Sequence, residues 1–434
     1  MTNSIKNQVE ILQKMGINAL NPMQSQAIDT IDSSANVLIL SPTGTGKTLA
    51  FLLPLISRLN PDIVGTQLMV LVPTRELAIQ IEQVVRNMGT GYKVNAVYGG
   101  RSGSKEKVEL THAPTILVGT PGRVADHIRR DRIQLHCIKS LVIDEYDKSL
   151  EVGFETEMKE IIAALPPLER KVLTSATHNK VPKFINFKNA ILLDFLEAQT
   201  NDLEISWVLS SSNRLNTLLD ILKSLGDRRG IIFFNLKSTL NEVSDFLRKR
   251  QVEHIWFYGG MEQVDRERSL IQFRNSSQRI LLATDLAARG IDIPELDYII
   301  HYEMPFREAE FVHRNGRTAR MNSEGEALCI KGQDDPIPEY AKDIKNKKIQ
   351  AGMGIPKNKW RTLFISGGRK DKISKGDIVG LFMKKGNIKS HELGMIELKT
   401  DCAFVAISSA KANEICQKLS NQRLKKKKVR IYSI

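Results

Sequence analysis

The chain has 434 residues, 41% hydrophobic and 26% charged, which is apolar enough for several packed cores and excludes a disordered polymer. No apolar run reaches the ~18–20 residues of a membrane span, the N-terminus carries no signal-type apolar block, and the four cysteines (Cys137, Cys329, Cys402, Cys416) lack the C-x-x-C spacing of a zinc site or disulfide framework. A cytoplasmic protein is therefore expected. The formal net charge is +14, and nearly all of it lies in the last 78 residues, where nineteen Lys/Arg face six Asp/Glu. A basic module on a near-neutral body points to a polyanionic partner, with nucleic acid ahead of an anionic membrane.

From residue 1 to about 200 the chain alternates apolar runs (VLIL, LMVLVP, VNAVYGG, TILVGT, SLVIDE, KVLTSAT) with helical stretches, the pattern of a parallel sheet covered on both faces. The first run flows into Ser41-Pro-Thr-Gly-Thr-Gly-Lys47-Thr48 and then a helix. Gly44 and Gly46 let backbone N–H groups crowd around phosphate oxygens, the helix N-terminus adds a favourable dipole, and Ser41, Thr43 and Thr45 complete the loop. Lys47 is placed to reach the β- and γ-phosphates, and the Thr48 hydroxyl to hold Mg²⁺. A later strand ends in Asp144-Glu145. Asp144 suits the metal, and Glu145 suits the proton of an attacking water, which together are what phosphoryl hydrolysis needs.

After a short polar link near 196–202 the alternation restarts, giving a second lobe over 205–345 and a basic connector over 346–358. Residues 359–434 read strand, helix, strand, strand, helix, strand, the βαββαβ order of RNA-recognition folds. Alternation puts Phe364 and Phe404 on one face of that sheet as candidate base-stacking rings. Leu363, Ile365, Ala403, Val405 and Ile407 fall on the other as core. Lys425–Lys428, with Arg369, Lys370 and Lys372, are candidates for gripping backbone phosphates.

In order along the whole chain, these motifs resemble those of the DEAD-box ATP-dependent RNA helicases: PTREL (73–77), Gly99-Gly100, TPGR (120–123), DEYD (144–147), SAT (175–177), IIFFN (231–235), ATDLAARGID (283–292) and HRNGRTAR (313–320). The resemblance implies two tandem RecA-like α/β lobes with doubly wound parallel sheets, plus a small α+β domain. It implies ATP and Mg²⁺ as cofactors and RNA as partner. Carried over residue by residue, Gln26 reads adenine and Asp292 lies near the ribose. Pro73, Thr74, Arg75, Gly100, Thr120, Gly122, Arg123, Gln263, Arg266 and Thr284 contact RNA. Asp147, Ser175, Thr177 and His313 couple nucleotide state to RNA, and Arg317 and Arg320 join Lys47, Asp144 and Glu145 in catalysis. In that family, closure of the lobes on ATP and RNA distorts one strand and opens short duplexes. The C-terminal unit resembles the DbpA subgroup, implying a structured ribosomal RNA target, large-subunit assembly, a pre-ribosomal particle and a monomeric enzyme. Four positions depart from the pattern: Ser41 for the glycine or alanine that opens the phosphate loop, Tyr146 for alanine, Asn315 for isoleucine and Ala319 for glycine. Tyr146 is expected to alter how Asp147 meets Ser175, Thr177 and His313, and it motivates a second reading, a nucleotide-gated RNA clamp or annealer with weak ATPase.

Overall fold

The computed structural model describes residues 7–42, 44–100, 103–151, 153–196, 203–210, 213–285, 293, 296–318, 325–350, 352 and 354–434. They fall into two compact units, one running to Leu196 and the other from Leu203 to Ile434.

The first unit is a seven-stranded parallel sheet. Its strands are β1 (Asn36–Leu40), β2 (Leu68–Leu71), β3 (Val94–Val97), β4 (Ile116–Gly119), β5 (Ser140–Ile143), β6 (Arg170–Ser175) and β7 (Ile191–Asp194), in the order β3-β4-β2-β5-β6-β1-β7. Consecutive residues of a strand feed opposite faces. Val37, Ile39, Leu68 and Val70 join the core on one side, and Met69, Leu71, Leu141 and Ile143 the core on the other. Helices cover both faces, which is why every residue of β2 to β5 is buried and nearly all are apolar. The helices start where the sequence supplies caps. Asn21 accepts from Gln24 N and is followed by Pro22, and Thr74 accepts from Leu77 N.

The second unit repeats the plan with β8 (Leu203–Leu209), β9 (Gly230–Phe234), β10 (Ile255–Phe257), β11 (Ile280–Thr284), β12 (Tyr298–His301), β13 (Gly325–Lys331) and β14 (Lys345–Asn346), in the order β10-β11-β9-β12-β13-β8-β14. The stretch expected as a basic connector is partly built into this lobe. Lys345 and Asn346 pair in parallel with Ser206 and Trp207, and Ile349 and Ile355 pack on the lobe's core. Two isoleucines six residues apart supply anchors that a charge count hides.

The C-terminal module belongs to the same unit. Its antiparallel sheet has the order β16-β17-β15-β20, from β15 (Trp360–Ile365), β16 (Leu393–Leu398), β17 (Ala403–Ser408) and β20 (Ile431–Ser433). Leu363, Ile365, Ala403, Val405 and Ile407 are fully buried in its core with the helices Lys375–Gly380 and Ala412–Leu419. The last strand is shorter than the sequence pattern predicts. Lys427–Lys428 instead form β19, which turns back on β18 (Arg423–Leu424) as a two-stranded hairpin.

Tyr146 is fully buried in the lower core of the first lobe, and its hydroxyl donates to the Asn179 carbonyl. Replacing it by alanine removes a packed ring, so Tyr146→Ala should destabilise this lobe by about 3–5 kcal/mol in denaturant unfolding followed by a first-lobe probe. A shift under about 1 kcal/mol would show that the ring is not part of the core.

Candidate functional site

In a parallel α/β sheet, side chains converge at the carboxyl ends of the strands. In the first lobe every motif lies there. The phosphate loop follows β1, PTREL follows β2, Gly99-Gly100 follows β3, TPGR follows β4, DEYD follows β5 and SAT closes β6. The strand order sorts them, with the candidate RNA motifs at the β3-β4-β2 end and the phosphate loop on β1.

Gly44 and Gly46 both adopt left-handed backbone, at φ +88° and +87°. A Cβ on Gly46 would lie 2.3 Å from the Gln24 amide. The Lys47 ammonium is buried and donates to the carbonyls of Ser41 (2.6 Å) and Pro42 (2.8 Å). Ser41 Oγ donates to Thr45 Oγ1 at 2.8 Å, and Thr45 Oγ1 to the Pro42 carbonyl at 3.0 Å. Asn21 and Gln24 clamp the loop from outside. Asn21 Nδ2 donates to the Thr45 carbonyl (2.9 Å), and Gln24 Nε2 to that of Gly46 (3.3 Å). The glutamine beside the loop is thus Gln24 and not Gln26, which is exposed two residues further round the helix. Thr43 lies outside the described residues.

One strand away, the Thr174 hydroxyl organises the acids. It donates to Asp144 Oδ1 and accepts from the Glu145 backbone N–H at 3.1 Å. That second bond holds Glu145 at φ +49°, a left-handed conformation that costs a non-glycine residue about 1–2 kcal/mol. Asp144 is 3% exposed, and its burial raises the carboxyl above the usual range against the opposing pull of the Thr174 hydroxyl and the Lys47 charge. Such a carboxylate gains from a hard cation, and with the half-buried Thr48 hydroxyl it offers the oxygen donors Mg²⁺ takes. Beside it, Ser175 Oγ donates to the Thr177 carbonyl (2.7 Å) and Thr177 Oγ1 to Asp147 Oδ2 (2.9 Å). The Tyr146 ring leaves for the core, and Asp147 makes the SAT contact through Thr177.

On the candidate RNA side, exposed Arg75 lies against the glycine pair. A Cβ on Gly100 (φ +88°) would stand 2.7 Å from its guanidinium. Pro73 is buried, and Thr74 spends its hydroxyl on the helix cap. Thr120 begins the Pro121–Arg129 helix, with Gly122 half-buried on it. Arg123 is held by Glu106 (2.7 Å) and Asp126 (3.0 Å), and the fully buried Glu106 also meets His127 at 3.0 Å. Burial works to raise Glu106, but the hydrogen bonds and charges of His127 and Arg123 prevail and hold it below the ordinary glutamate value.

The second lobe contains a polar knot that the sequence patterns do not announce. Arg314, 2% exposed, donates to Asp285 through Nε (2.6 Å) and Nη2 (2.5 Å), to Asn235 Oδ1 (2.7 Å) and to the Glu303 carbonyl (2.7 Å). It thereby ties the Glu308–Asn315 helix to the ends of β9, β11 and β12. His301 Nε2 donates to Asn315 Oδ1 at 2.9 Å, while its Nδ1 faces Arg314 Nη1, a donor only, at 3.5 Å. The unusual Asn315 is thus the partner of a buried histidine. Arg317 is buried, and its backbone N–H bonds the Arg314 carbonyl. His313 Nδ1 contacts the Ala309 carbonyl within the helix. Arg266 donates to the Tyr258 carbonyl (3.1 Å) and lies 4.3 Å over the Phe257 ring, Gln263 opens the same helix, and Thr284 ends β11 half-buried. Asp292 and Arg320 lie outside the described residues. Sequence reasoning does not single out Gln24, Thr174, Asp285, His301, Glu303 or Arg314. Asp285 and Arg314 stand inside quoted motifs, but only the fold pairs them.

Three family models match in series: the DEAD/DEAH box helicase over 21–185, the helicase conserved C-terminal domain over 213–322 and the DbpA RNA binding domain over 362–432. The DEAD-box ATP-dependent RNA helicase CshC of Bacillus cereus is 33% identical over 76% of this chain and 87% of its own. The chain belongs to the DEAD-box ATP-dependent RNA helicases. Within that family it falls in the DbpA subgroup: the ATP-dependent RNA helicase DbpA of Escherichia coli is 29% identical over 98% of this chain and 96% of its own. Among solved structures, Saccharomyces cerevisiae Dbp5 bound to RNA and ADP BeF3 superposes with a TM-score of 0.68 at 27% identity, over 76% of this chain and 90% of that one. The DEAD-box protein is accordingly an RNA-dependent ATP hydrolase that binds RNA.

His301 carries a pH dependence with a definite sign. Burial, and then the neighbouring Arg314 charge, lower it to about 3 from 6.5. The unfolded chain therefore binds a proton that the folded helicase lobe refuses, so stability is full above pH 6.5 and falls below it by up to about 1.4 kcal/mol per pH unit. The paired variant His301→Phe/Asn315→Leu should flatten the unfolding free energy of the second lobe between about pH 6.5 and 5. An unchanged slope would remove His301 from this role.

Proposed function

We propose that this helicase couples RNA-stimulated ATP hydrolysis to local strand separation in a structured RNA, and that its substrate is ribosomal RNA during large-subunit assembly. The observation that supports the choice of RNA is the DbpA RNA binding domain match on a module whose hairpin is strongly basic. Lys425 and Lys427 are paired with Asp377 (3.0 Å) and Asp371 (2.8 Å), while Lys426 and Lys428 are exposed on the same hairpin, as are Arg369, Lys370 and Lys372 nearby. Lys426 and Lys428, together with Arg369, Lys370 and Lys372, suit phosphates of a folded RNA better than a single strand read by bases.

The proposed chemistry follows from the residues already placed. Lys47 and the loop N–H groups bind the phosphates. Thr48 and Asp144 would hold Mg²⁺, which supplies charge neutralisation of the β- and γ-phosphates when bound. Glu145 takes the proton of the attacking water, and Arg317 and Arg320 balance charge on the transferring group. Gln24, with its amide at the loop, is the better candidate for sensing the nucleotide, in place of Gln26. A monomeric, cytoplasmic enzyme working on a pre-ribosomal particle is the assembly we propose.

Lys47→Ala, Glu145→Gln and Arg317→Ala should each lower RNA-stimulated phosphate release by roughly 10²-fold or more with unchanged circular dichroism, since each removes a group acting on the transferring phosphoryl. Near-normal turnover in all three would defeat the assignment, and ATP-dependent RNA binding with no turnover in the unaltered protein would favour the clamp. Crosslinking the protein to cellular RNA and sequencing the fragments tests the target, where a spread without ribosomal enrichment would overturn it. Lys426→Glu/Lys428→Glu should weaken binding of that RNA and flatten its log–log salt slope by about 0.7–0.9 for each phosphate no longer neutralised, measured by titration at several salt concentrations.

A further inference from the structure

In an antiparallel ladder, residues directly opposite share a face. Phe364 pairs with both Phe404 and Tyr432, Thr362 with Ala406, and Glu397 with Phe404, so these six form one face of the module's sheet. It is the face on which RNA-recognition folds stack bases. Here the second lobe covers half of it. Thr362 is fully buried, and its hydroxyl meets Asn275 Nδ2 (2.8 Å) and Ser277 Oγ (2.6 Å). Arg274 grips both Glu397 oxygens at 2.9 and 3.0 Å, and Lys399 bridges Glu397 (2.8 Å) and Glu267 (2.7 Å). Phe404 is 5% exposed.

The uncovered half is aromatic. The Phe364 ring lies 4.9 Å from Tyr432, which is 43% exposed. Ile434, two residues on and on the same face, lines a cavity of about 420 Å³ with Trp256, Tyr258, Arg268 and Gln272 of the second lobe. The far end of that cavity is the Gly260–Glu262 loop, which opens the helix bearing Gln263 and Arg266. Trp256 is 36% exposed with the Arg248 guanidinium 5.6 Å from its ring, and Lys237 Nζ stands 4.4 Å over Tyr258.

We propose that this groove binds an unpaired nucleotide of the RNA held by the second lobe, with its base stacked against Trp256 and the neighbouring base on Tyr432. The inference rests on the helicase reading above and adds a site to it. Aromatic rings flanked by cations are the platform that single strands use, and the volume suits one nucleotide rather than a peptide helix. Glu262 and Asp265, the latter 3.7 Å from Arg268, repel phosphate from one wall. They suit the amino edge of a base, and they leave the backbone to the side of Lys237 and Arg248.

The test uses the full chain and a duplex with a single-stranded extension carrying 2-aminopurine at successive positions. Stacking should quench the probe at one or two positions. Trp256→Ala and Tyr432→Ala should each abolish the quench and lower affinity for the extended RNA roughly five- to hundredfold, since a stacked base contributes about that much. Trp256→Phe should retain most of the signal, and affinity for the blunt duplex should not move. Both side chains are exposed, so the alanine variants fold. No quench at any position, or a quench that survives both alanine variants, would overturn the proposal. So would a dimer in sedimentation that Trp256→Ala dissolves, which would assign the groove to a second copy. RNA-stimulated phosphate release in the same samples separates the two levels: its absence in the unaltered protein fails the helicase reading, and its presence without quenching fails only the groove.

Discussion

A single hydroxyl, that of Thr174, sets the geometry of the first lobe's acids. It stands on β6, between the strand that ends in the phosphate loop and the strand that ends in Asp144-Glu145. By donating to the Asp144 carboxylate and accepting from the Glu145 N–H, it fixes both acids relative to β1, because parallel pairing puts Ile39 opposite Thr174 and Leu40 opposite Ser175. That hydroxyl helps to hold both the strained Glu145 backbone and the buried Asp144 carboxylate, the latter together with the Lys47 charge. Ser175, the next residue, carries the link onward to Thr177 and Asp147. Two adjacent side chains on one rigid strand therefore join Asp144 and Glu145 to Asp147.

The second lobe solves a different problem, that of anchoring a helix through a buried arginine. Arg314 is buried and satisfied by a carboxylate, an amide and a carbonyl from three strands, and Asn315 adds a fourth tie through His301. Buried charge contributes little net stability in such a pair, but breaking it would strand the guanidinium in a dry environment. The cluster fixes where the Glu308–Asn315 helix sits, and with it the turn whose carbonyls cap the N–H groups of Arg317 and Thr318.

Much of this is legible in the residues. Strand–loop–helix punctuation locates the phosphate loop, strand-end acids locate Asp144 and Glu145, and period-two alternation gives the module's core. What stays hidden depends on partners distant in sequence. The motif resemblance points to Gln26, and only the Asn21 cap, which turns Gln24 toward the loop, brings its neighbour forward. Asn315 reads as a defect until His301 is seen opposite it. Tyr146 reads as an obstruction beside Asp147 until its ring is found in the core. The basic tail reads as uniformly free charge, whereas Lys425 and Lys427 are committed to acids and Lys399 to the joint with the second lobe.

That joint changes what the module can do. Two residues of β14, the packed Ile349 and Ile355, and the Arg274–Glu397 and Asn275–Thr362 contacts fasten the β15 sheet to the second lobe. A tethered binding domain would let its enzyme sample any duplex within reach. A bolted one works as a ruler: where module and lobe grip one RNA as proposed, the separation between their two footprints is set by the protein and not by a linker.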